Sequence, residues 1–414
     1  MLKIVFINLL FAFSFVWITV CIILSQFPSC YESQASALQQ DIAYINSCER
    51  NQKAQDIPIK QTINTANSDQ QYLCKRWAVV RATSYPTNAV RKIASDNNWC
   101  LVIVADINTP SKDEYLTTLG YSGRKIVFLN VADQDILFSD ISTAIPWGHI
   151  GRKNVGYLFA IQKGAEWIWD FDHNNEGVLD INIINNLNTM SVLQTCRGHH
   201  KLFNPYAYFG VNETYIWPRG FPLEFARDTS TRPNLCNGNI AIKSVIANRE
   251  PDVDATFRFS REYPITFEAT QTFPFILVPR YSHCPFNERA TLWTKQAFYY
   301  MALPTSIHSR VSDIWRSYIA QHFFHREEIN LLFSPPYVVQ TNGDQNILED
   351  FQAEMDIYKK SSSLIDFLQT FQFQPNATLE NLYEELYIRH FIQLEDIYLI
   401  RIWTRSYSKV SGSS

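Results

Sequence analysis

Several common enzyme signatures are absent from this 414-residue chain. No G-x-G-x-x-G follows its first strand-like run, and no G-x-x-x-x-G-K-[ST] occurs, which disfavours the usual dinucleotide fold and the P-loop. The hydrolase elbow G-x-S-x-G is missing. No pair of cysteines is spaced C-x-x-C, so a structural zinc site is not expected. Charge of one sign is missing too: the formal net charge is only -4 and no basic stripe is visible, which argues against nucleic acid as a partner. Internal repeats are absent.

What the chain does have begins at its N-terminus. Ile4–Leu24 is broken only by Asn8, Ser14 and Thr19. As a helix it would be about 31 Å long, the thickness of a bilayer core. Lys3 precedes it and no Lys or Arg follows before Arg50, so the positive-inside rule places the N-terminus in the cytosol and the rest across the membrane. The run is too long for a signal-peptide core, and no A-x-A site follows it. The expected division is a cytosolic tail at 1–3, a transmembrane anchor at 4–24, a Gln/Asn/Ser-rich stem at 25–72, an α/β domain at 73–340 and a helical subdomain at 341–414. Within the stem, a short helix is expected around Ala35–Ile45. Eight cysteines are present; with Cys21 in the anchor, seven remain, an odd number in a compartment that permits disulfides. Asn212 and Asn376 head N-x-[ST] triplets, in keeping with that compartment.

The stretch Arg152–Asn175 organises the rest. Apolar residues at Val155, Leu158, Phe159 and Ile161 predict a helix that Lys163-Gly164 closes. Trp167–Trp169 reads as a buried strand running into Asp170, with Asp172 two residues on, so the two carboxylates fall on one face. A D-x-D is weak by itself, and Asp133/Asp135 and Asp252/Asp254 repeat the pattern. Its place after a helix and a strand gives it weight, because ligands of parallel α/β sheets bind at the carboxyl ends of strands. Two acids there suit Mg²⁺ or Mn²⁺, which in turn holds a diphosphate. Arg152 and Lys153 stand at the helix start, where the helix dipole disfavours cations, and that points to an anion held nearby.

Around this stretch, Trp77–Val80, Leu101–Ala105 and Lys125–Leu129 read as strands, and Thr87 as the cap of a helix reaching about Asp96. The pattern predicts an α/β fold with a largely parallel sheet. Ile141–His149 reads as loop. Later helices are expected at Leu292–Met301, at Arg310–Phe324, and in one long span over Leu379–Trp403. Arg310 and Asp313 lie three residues apart, near enough to pair on one helix face.

The ordered motifs now in hand include Asp106 with Thr109-Pro110, Arg152-Lys153-Asn154-Val-Gly-Tyr, Asp170-Phe-Asp172, Asn204-Pro205-Tyr206 and Trp217-Pro-Arg-Gly. Pro251-Asp-Val-Asp254, Phe286-Asn287 and Arg310 with Asp313-Ile-Trp315-Arg continue the series. Together they resemble the STELLO proteins of plants and related proteins sharing their glycosyltransferase-like domain, over roughly Trp77–Phe324. The resemblance implies a GT-A-like (Rossmann-like) glycosyltransferase domain on a type II Golgi membrane protein, with the catalytic domain lumenal. It further implies a nucleotide-sugar donor and a glycan or glycoconjugate acceptor. On that reading Asp170 and Asp172 hold Mn²⁺ or Mg²⁺, Asp106 contacts the nucleoside, and Arg152 and Lys153 face the phosphates. Asn175, Asp254 and Asn287 are donor or acceptor contacts, and Asp313, positioned by Arg310, is the candidate base. One departure stands out: His173 and Asn174 follow the D-x-D where relatives tend to carry further acids. The competing expectation is a non-catalytic scaffold that organises other Golgi enzymes, as a homo-oligomer or a complex.

Overall fold

The structure is a computed structural model, and it describes residues 74–120, 125–177, 192–194, 201–209, 215–227, 234–236, 238–261, 264–267, 275–340, 346–371 and 377–412, with 39, 40 and 43. The anchor at 4–24 and the expected glycosylation sites Asn212 and Asn376 lie outside the described residues; of the helix expected at Ala35–Ile45 only 39, 40 and 43 are described, and they are helical. No helix among the described residues is long and apolar enough to cross a membrane.

Four strands build the first half: β1 (Arg76–Ala82), β2 (Cys100–Ala105), β3 (Ile126–Leu129) and β4 (Trp167–Phe171). They pair in parallel, as the sequence pattern predicts, and their order is β3-β2-β1-β4. β2 is buried at every position, as befits a strand covered on both faces. Parallel neighbours need crossovers. Helix α1 (Asn88–Ser95) links β1 to β2, and α2 (Lys112–Leu119) links β2 to β3. Helices α3 (Val131–Leu137) and α4 (Ser139–Ala144) follow β3, so the expected loop at Ile141–His149 starts inside a helix.

Beyond β4 the sheet is mixed. The later strands are β5 (Asn175–Gly177), β6 (Val192–Gln194), β7 (Asn234–Cys236), β8 (Asn239–Asn248), β9 (Ile276–Leu277), β10 (Ala290–Thr294) and β11 (Ile329–Gln340). The order continues β4-β10-β8-β11-β9-β6-β7, with β5 against β11. β10 runs antiparallel to both β4 and β8. This corrects the helix expected at Leu292–Met301. That segment is the end of β10, followed by a 3-10 turn at Lys295–Tyr300. Backbone pairing with two distant strands overrides its local helical pattern, and its β-branched and aromatic run Thr291-Leu292-Trp293-Thr294 suits the pleat.

Helix α5 (Lys153–Gln162) is the hub, with every residue from Lys153 to Ile161 buried. One side lies on β1 and β2. A Cβ at Gly156 would come within 2.6 Å of Val79 and 2.7 Å of Val104, so glycine is what lets helix and sheet approach this closely. The other side packs on α4 and on α11 (Leu394–Ser411). α5 and the C-terminal helices therefore share one core, which runs from Val79 and Val102 through Val155 and Leu158 to Ile400 and Trp403. The opposite face of the sheet holds a second core of Ala78, Val80, Leu101 and Ile103 against Val90, Ile93 and Tyr115. This gives three layers, helix on sheet on helix. Helix α7 (Ser309–Glu327) matches expectation. The span expected as one helix over Leu379–Trp403 is two, α10 (Leu379–Ile388) and α11. His390, at a φ of 59°, is left-handed and turns the chain between them. The Cys74–Cys100 disulfide ties the start of β1 to the start of β2, while Cys284 is a buried free thiol.

Candidate functional site

The carboxyl ends of β1, β2 and β4 bring Arg81, Asp106 and Asp172 to one edge of the sheet. Asp106 is fixed by Arg81 at 2.9 Å, by its neighbour Ile107 N–H at 2.8 Å, and by Gly148 N–H at 3.1 Å to each carboxylate oxygen. It stands at the strand end as expected.

The two acids of the D-x-D meet different surroundings. Asp170 has no solvent exposure; Lys153 Nζ lies 2.6 Å from one oxygen and Arg316 Nη1 3.2 Å from the other. It is a buried counter-ion rather than an open ligand. Asp172 lies just past the end of β4 with its side chain 20% exposed. His173 Nδ1 is 2.8 Å from one oxygen and Arg289 Nε 3.9 Å from the other. Burial pushes the Asp172 carboxyl upward, but the hydrogen bond and charge of His173, then Arg289 and Lys153, hold it well below the usual range.

Lys153 also binds Glu288, through the carboxylate and through the backbone carbonyl at 3.0 Å. Burial works against the Lys153 charge, yet Asp170 and Glu288 together raise its pKa. The same burial raises the Glu288 carboxyl; Lys153 opposes this and the charges of Asp172, Asp170 and Asp313 add to it. The anion at the helix start is thus a pair of protein carboxylates. Arg152 does not face that edge. It is fully buried, its guanidinium donates to the carbonyls of Ser142 (2.7 Å) and Ile145 (3.1 Å) and to Gln134 Oε1 (2.6 Å), and it stacks on Trp147 at 3.6 Å. The cation there balances the carboxyl end of α4, where helix dipoles favour positive charge.

The expected pairing of Arg310 with Asp313 does not form. Asp313 is gripped by both terminal nitrogens of Arg219, at 3.1 and 2.7 Å. Arg310 turns instead to Glu354 (Nε at 2.8 Å) and Asp350 (3.2 Å). Helical spacing permits the pair, but oppositely charged partners from other elements approach each side chain more closely. Arg219 also holds Asp252, at 2.9 and 3.1 Å. Burial opposes the charge of Asp252, and Arg219 with Arg289 draws its pKa down nonetheless.

Asn287 Nδ2 donates to Asp252 at 2.9 Å while its carbonyl oxygen accepts from Arg289 N–H at 3.0 Å. Asn175 donates to the carbonyl of Arg289. Both shape the turn that carries Glu288 and Arg289 beside Asp172. Asp254 has a different task. It is fully buried, caps the short helix Ala255–Phe259 through Phe257 N–H (2.9 Å), and accepts the indole N–H of Trp217 at 2.6 Å. Burial raises its pKa against those hydrogen bonds.

Sequence reasoning missed Arg81, Arg219, Glu288, Arg289 and Arg316. Arg219, Arg316 and the Glu288-Arg289 pair lie inside or directly after quoted motifs, so the motif boundaries were the available signal. Among the described residues no group of three metal-capable side chains converges. Asp172 with His173 supplies one ionised carboxylate and one imidazole. That set fits a divalent cation only where phosphate oxygens and water complete the shell, the usual habit of Mg²⁺.

The fold and this edge define an α/β protein with a Rossmann-like parallel half and a charged cluster at its strand ends. Residues 310–411 match the model of the STELLO glycosyltransferases. The chain is 27% identical over 372 residues, 85% of its length, to the Arabidopsis thaliana protein named "Probable glycosyltransferase STELLO1". It is 27% identical over 325 residues, 74% of its length, to "Probable glycosyltransferase STELLO2" of the same plant. These alignments take in 45% and 41% of the relatives, so the chain spans less than half the length of the curated proteins it matches. The likeness to these proteins read from the motifs is therefore shown, although the family model falls on 310–411, mostly beyond the Trp77–Phe324 span expected for it.

Proposed function

We propose that the chain is a glycosyltransferase that takes a nucleotide-sugar donor at the carboxyl edge of β1, β2 and β4. The observation carrying this is the unequal treatment of the D-x-D. Asp170 is fixed beneath the edge by Lys153 and Arg316, whereas Asp172 emerges, ionised and partly exposed, between His173 and Arg289. A buried cluster that orders an exposed acid is what a preorganised site requires.

In this reading Asp106 and Arg81 meet the nucleoside and its nearest phosphate. Arg289 faces the diphosphate, while Asp172 and His173 hold Mn²⁺ or Mg²⁺, which when bound neutralises charge on the departing nucleotide. Glu288 is the candidate to take the proton of the acceptor hydroxyl: burial raises its pKa even against its ion pair with Lys153, whereas Asp313 is held by both terminal nitrogens of Arg219. Arg219, Asp252 and Asn287 position the turn that carries Glu288. A Golgi-lumenal setting with an N-terminal anchor is part of the proposal; a disulfide between Cys74 and Cys100 favours an oxidising compartment.

The test is calorimetric titration of the purified protein with a panel of nucleotide sugars, with and without Mn²⁺, followed by turnover assays. Metal-dependent binding of one donor, lost in Asp172→Asn, is expected. Equal binding by Asp172→Asn, or no donor bound at all, would leave the scaffold reading in place. That reading draws on His173, which replaces an acid with a neutral-capable ligand beside the metal position.

A further inference from the structure

Between α4, the loop after it and the N-terminus of α11 lies a cavity of about 650 Å³, within the range of small-molecule sites. Its lining includes the apolar run Ala144, Ile145, Pro146 and Trp147. Its polar lining includes Asp135, Gln393 and Glu395. Among the described residues no Lys, Arg or His lines it, and two of the side chains that do are acids.

We infer that this cavity binds a neutral saccharide. A sugar ring has an apolar face and an edge of hydroxyls, and both meet their complements here. Trp147 is a half-buried platform held from behind, since the Arg152 guanidinium stacks on it at 3.6 Å and is itself anchored to the carbonyls of Ser142 and Ile145. A ring locked in this way offers a π-face without loss of side-chain freedom on binding. Carboxylates and a carboxamide suit a hydroxyl edge, because acceptor oxygens and amide donors serve vicinal hydroxyls together. The polar lining is rigid as well. The fully buried Asp396 accepts the N–H groups of Thr305 (2.5 Å) and Ser306 (3.3 Å), and Gln393 N–H donates to Ser306 Oγ at 2.9 Å.

Charge settles what the cavity excludes. Among the described residues its lining carries Asp135 and Glu395 and no cation, the nearest being Arg152 behind Trp147, so phosphate, sulfate and uronate groups are disfavoured. The donor diphosphate therefore does not bind here, and sulfated or acidic glycans are disfavoured. The cavity is joined to the strand-end edge through one peptide: Trp147 lines it, and the next residue, Gly148, donates its N–H to Asp106. Its role as the acceptor subsite rests on the transferase reading; saccharide binding itself does not.

The test is titration calorimetry on the full chain with neutral hexasaccharides of glucose, mannose and N-acetylglucosamine and with a heparin hexasaccharide, each alongside a nucleotide-sugar titration. A neutral saccharide should bind, with heparin giving no signal. Trp147→Ala should weaken that binding about tenfold or more, as for a central aromatic anchor. Because Trp147 packs on Arg152, the surface double variant Gln393→Ala/Glu395→Gln provides a second reading and should weaken binding several-fold with an unchanged melting curve. Neutral saccharides ignored while a nucleotide sugar binds would overturn the inference and leave the transferase reading standing. Saccharide binding that both variants retain in full, or tighter binding of heparin, would overturn it too. Saccharide binding lost in the variants with no nucleotide sugar bound supports the cavity and sinks the transferase reading.

Discussion

Asp170→Asn and Asp172→Asn should separate cleanly, although the two acids are neighbours in one motif. Asp170 lies between Lys153 and Arg316, with side-chain exposures of 0%, 2% and 1% for the three groups. Its neutralisation takes the carboxylate from the buried Arg316 and leaves Lys153 with Glu288 alone, a change that costs about 3–5 kcal/mol. For a folded unit of roughly 300 residues with an unfolding entropy near ~2.1 cal/mol/K per residue, that is a fall of about 5–8 °C in melting temperature. Asp172 is partly exposed, with His173 at 2.8 Å and Arg289 at 3.9 Å, so Asp172→Asn should cost less than Asp170→Asn, about 1–2 kcal/mol. Its effect falls on donor affinity instead. Thermal and guanidinium unfolding of both variants, with donor titration, gives the comparison. A melting point for Asp170→Asn within about 2 °C of the parent, or an equal loss in Asp172→Asn, would refute the division between buried counter-ion and exposed ligand.

Further outcomes follow from other parts of the fold. Cys74 and Cys100 are 26 residues apart in sequence, so Cys74→Ser with Cys100→Ser should cost about 3.5 kcal/mol in denaturant unfolding by loop-closure entropy. Asp254→Ala removes a helix cap and leaves the Trp217 indole N–H unsatisfied; a loss of about 2–3 kcal/mol is expected, with donor affinity unchanged. Burial lowers His325 and His149 to about 4 and His322 to about 3. As pH falls below ~6.5 the unfolded chain gains protons that the folded one refuses, so each such histidine withdraws up to ~1.4 kcal/mol of stability per pH unit until its folded pKa is reached. Glu288, Asp254 and Asp396, whose carboxyls are raised, act with opposite sign, so the comparison of parent with His325→Phe isolates the histidine part. Melting curves from pH 7 to 4.5 should decline less steeply in that variant; parallel curves would contradict a buried neutral His325. Glu288→Gln should lower turnover by about 10²-fold or more with little change in donor affinity, as measured by steady-state kinetics and titration.

Much of the parallel half was legible because its signals are local. Strand periodicity, the helix start after Thr87 and the helix-to-strand passage through Gly164 are set by near neighbours, and β1, β2, β3 and α5 appear within a residue or two of expectation; the Thr87 hydroxyl itself makes no cap and donates to the distant His173 carbonyl. Where local and distant preferences conflicted, distance won. Leu292–Met301 has a helical pattern yet joins the sheet through backbone pairs to β4 and β8. At the site, spacing correctly put Asp106 at a strand end and the D-x-D at the end of β4, but the expected joint action of Asp170 and Asp172 meets a buried Asp170 beside a partly exposed Asp172. It could not reveal that Arg316, 146 residues on, would close over Asp170, or that Arg219, 94 residues before Asp313, would take that acid from Arg310.

The sequence by itself thus determined the α/β class, the hub helix and the family likeness, since each depends on patterns that neighbouring residues carry. Only the tertiary structure decided which charges are spent and which face solvent. A carboxylate's role depends on its nearest cation and its access to water, and at this edge both are set by residues brought in from other elements.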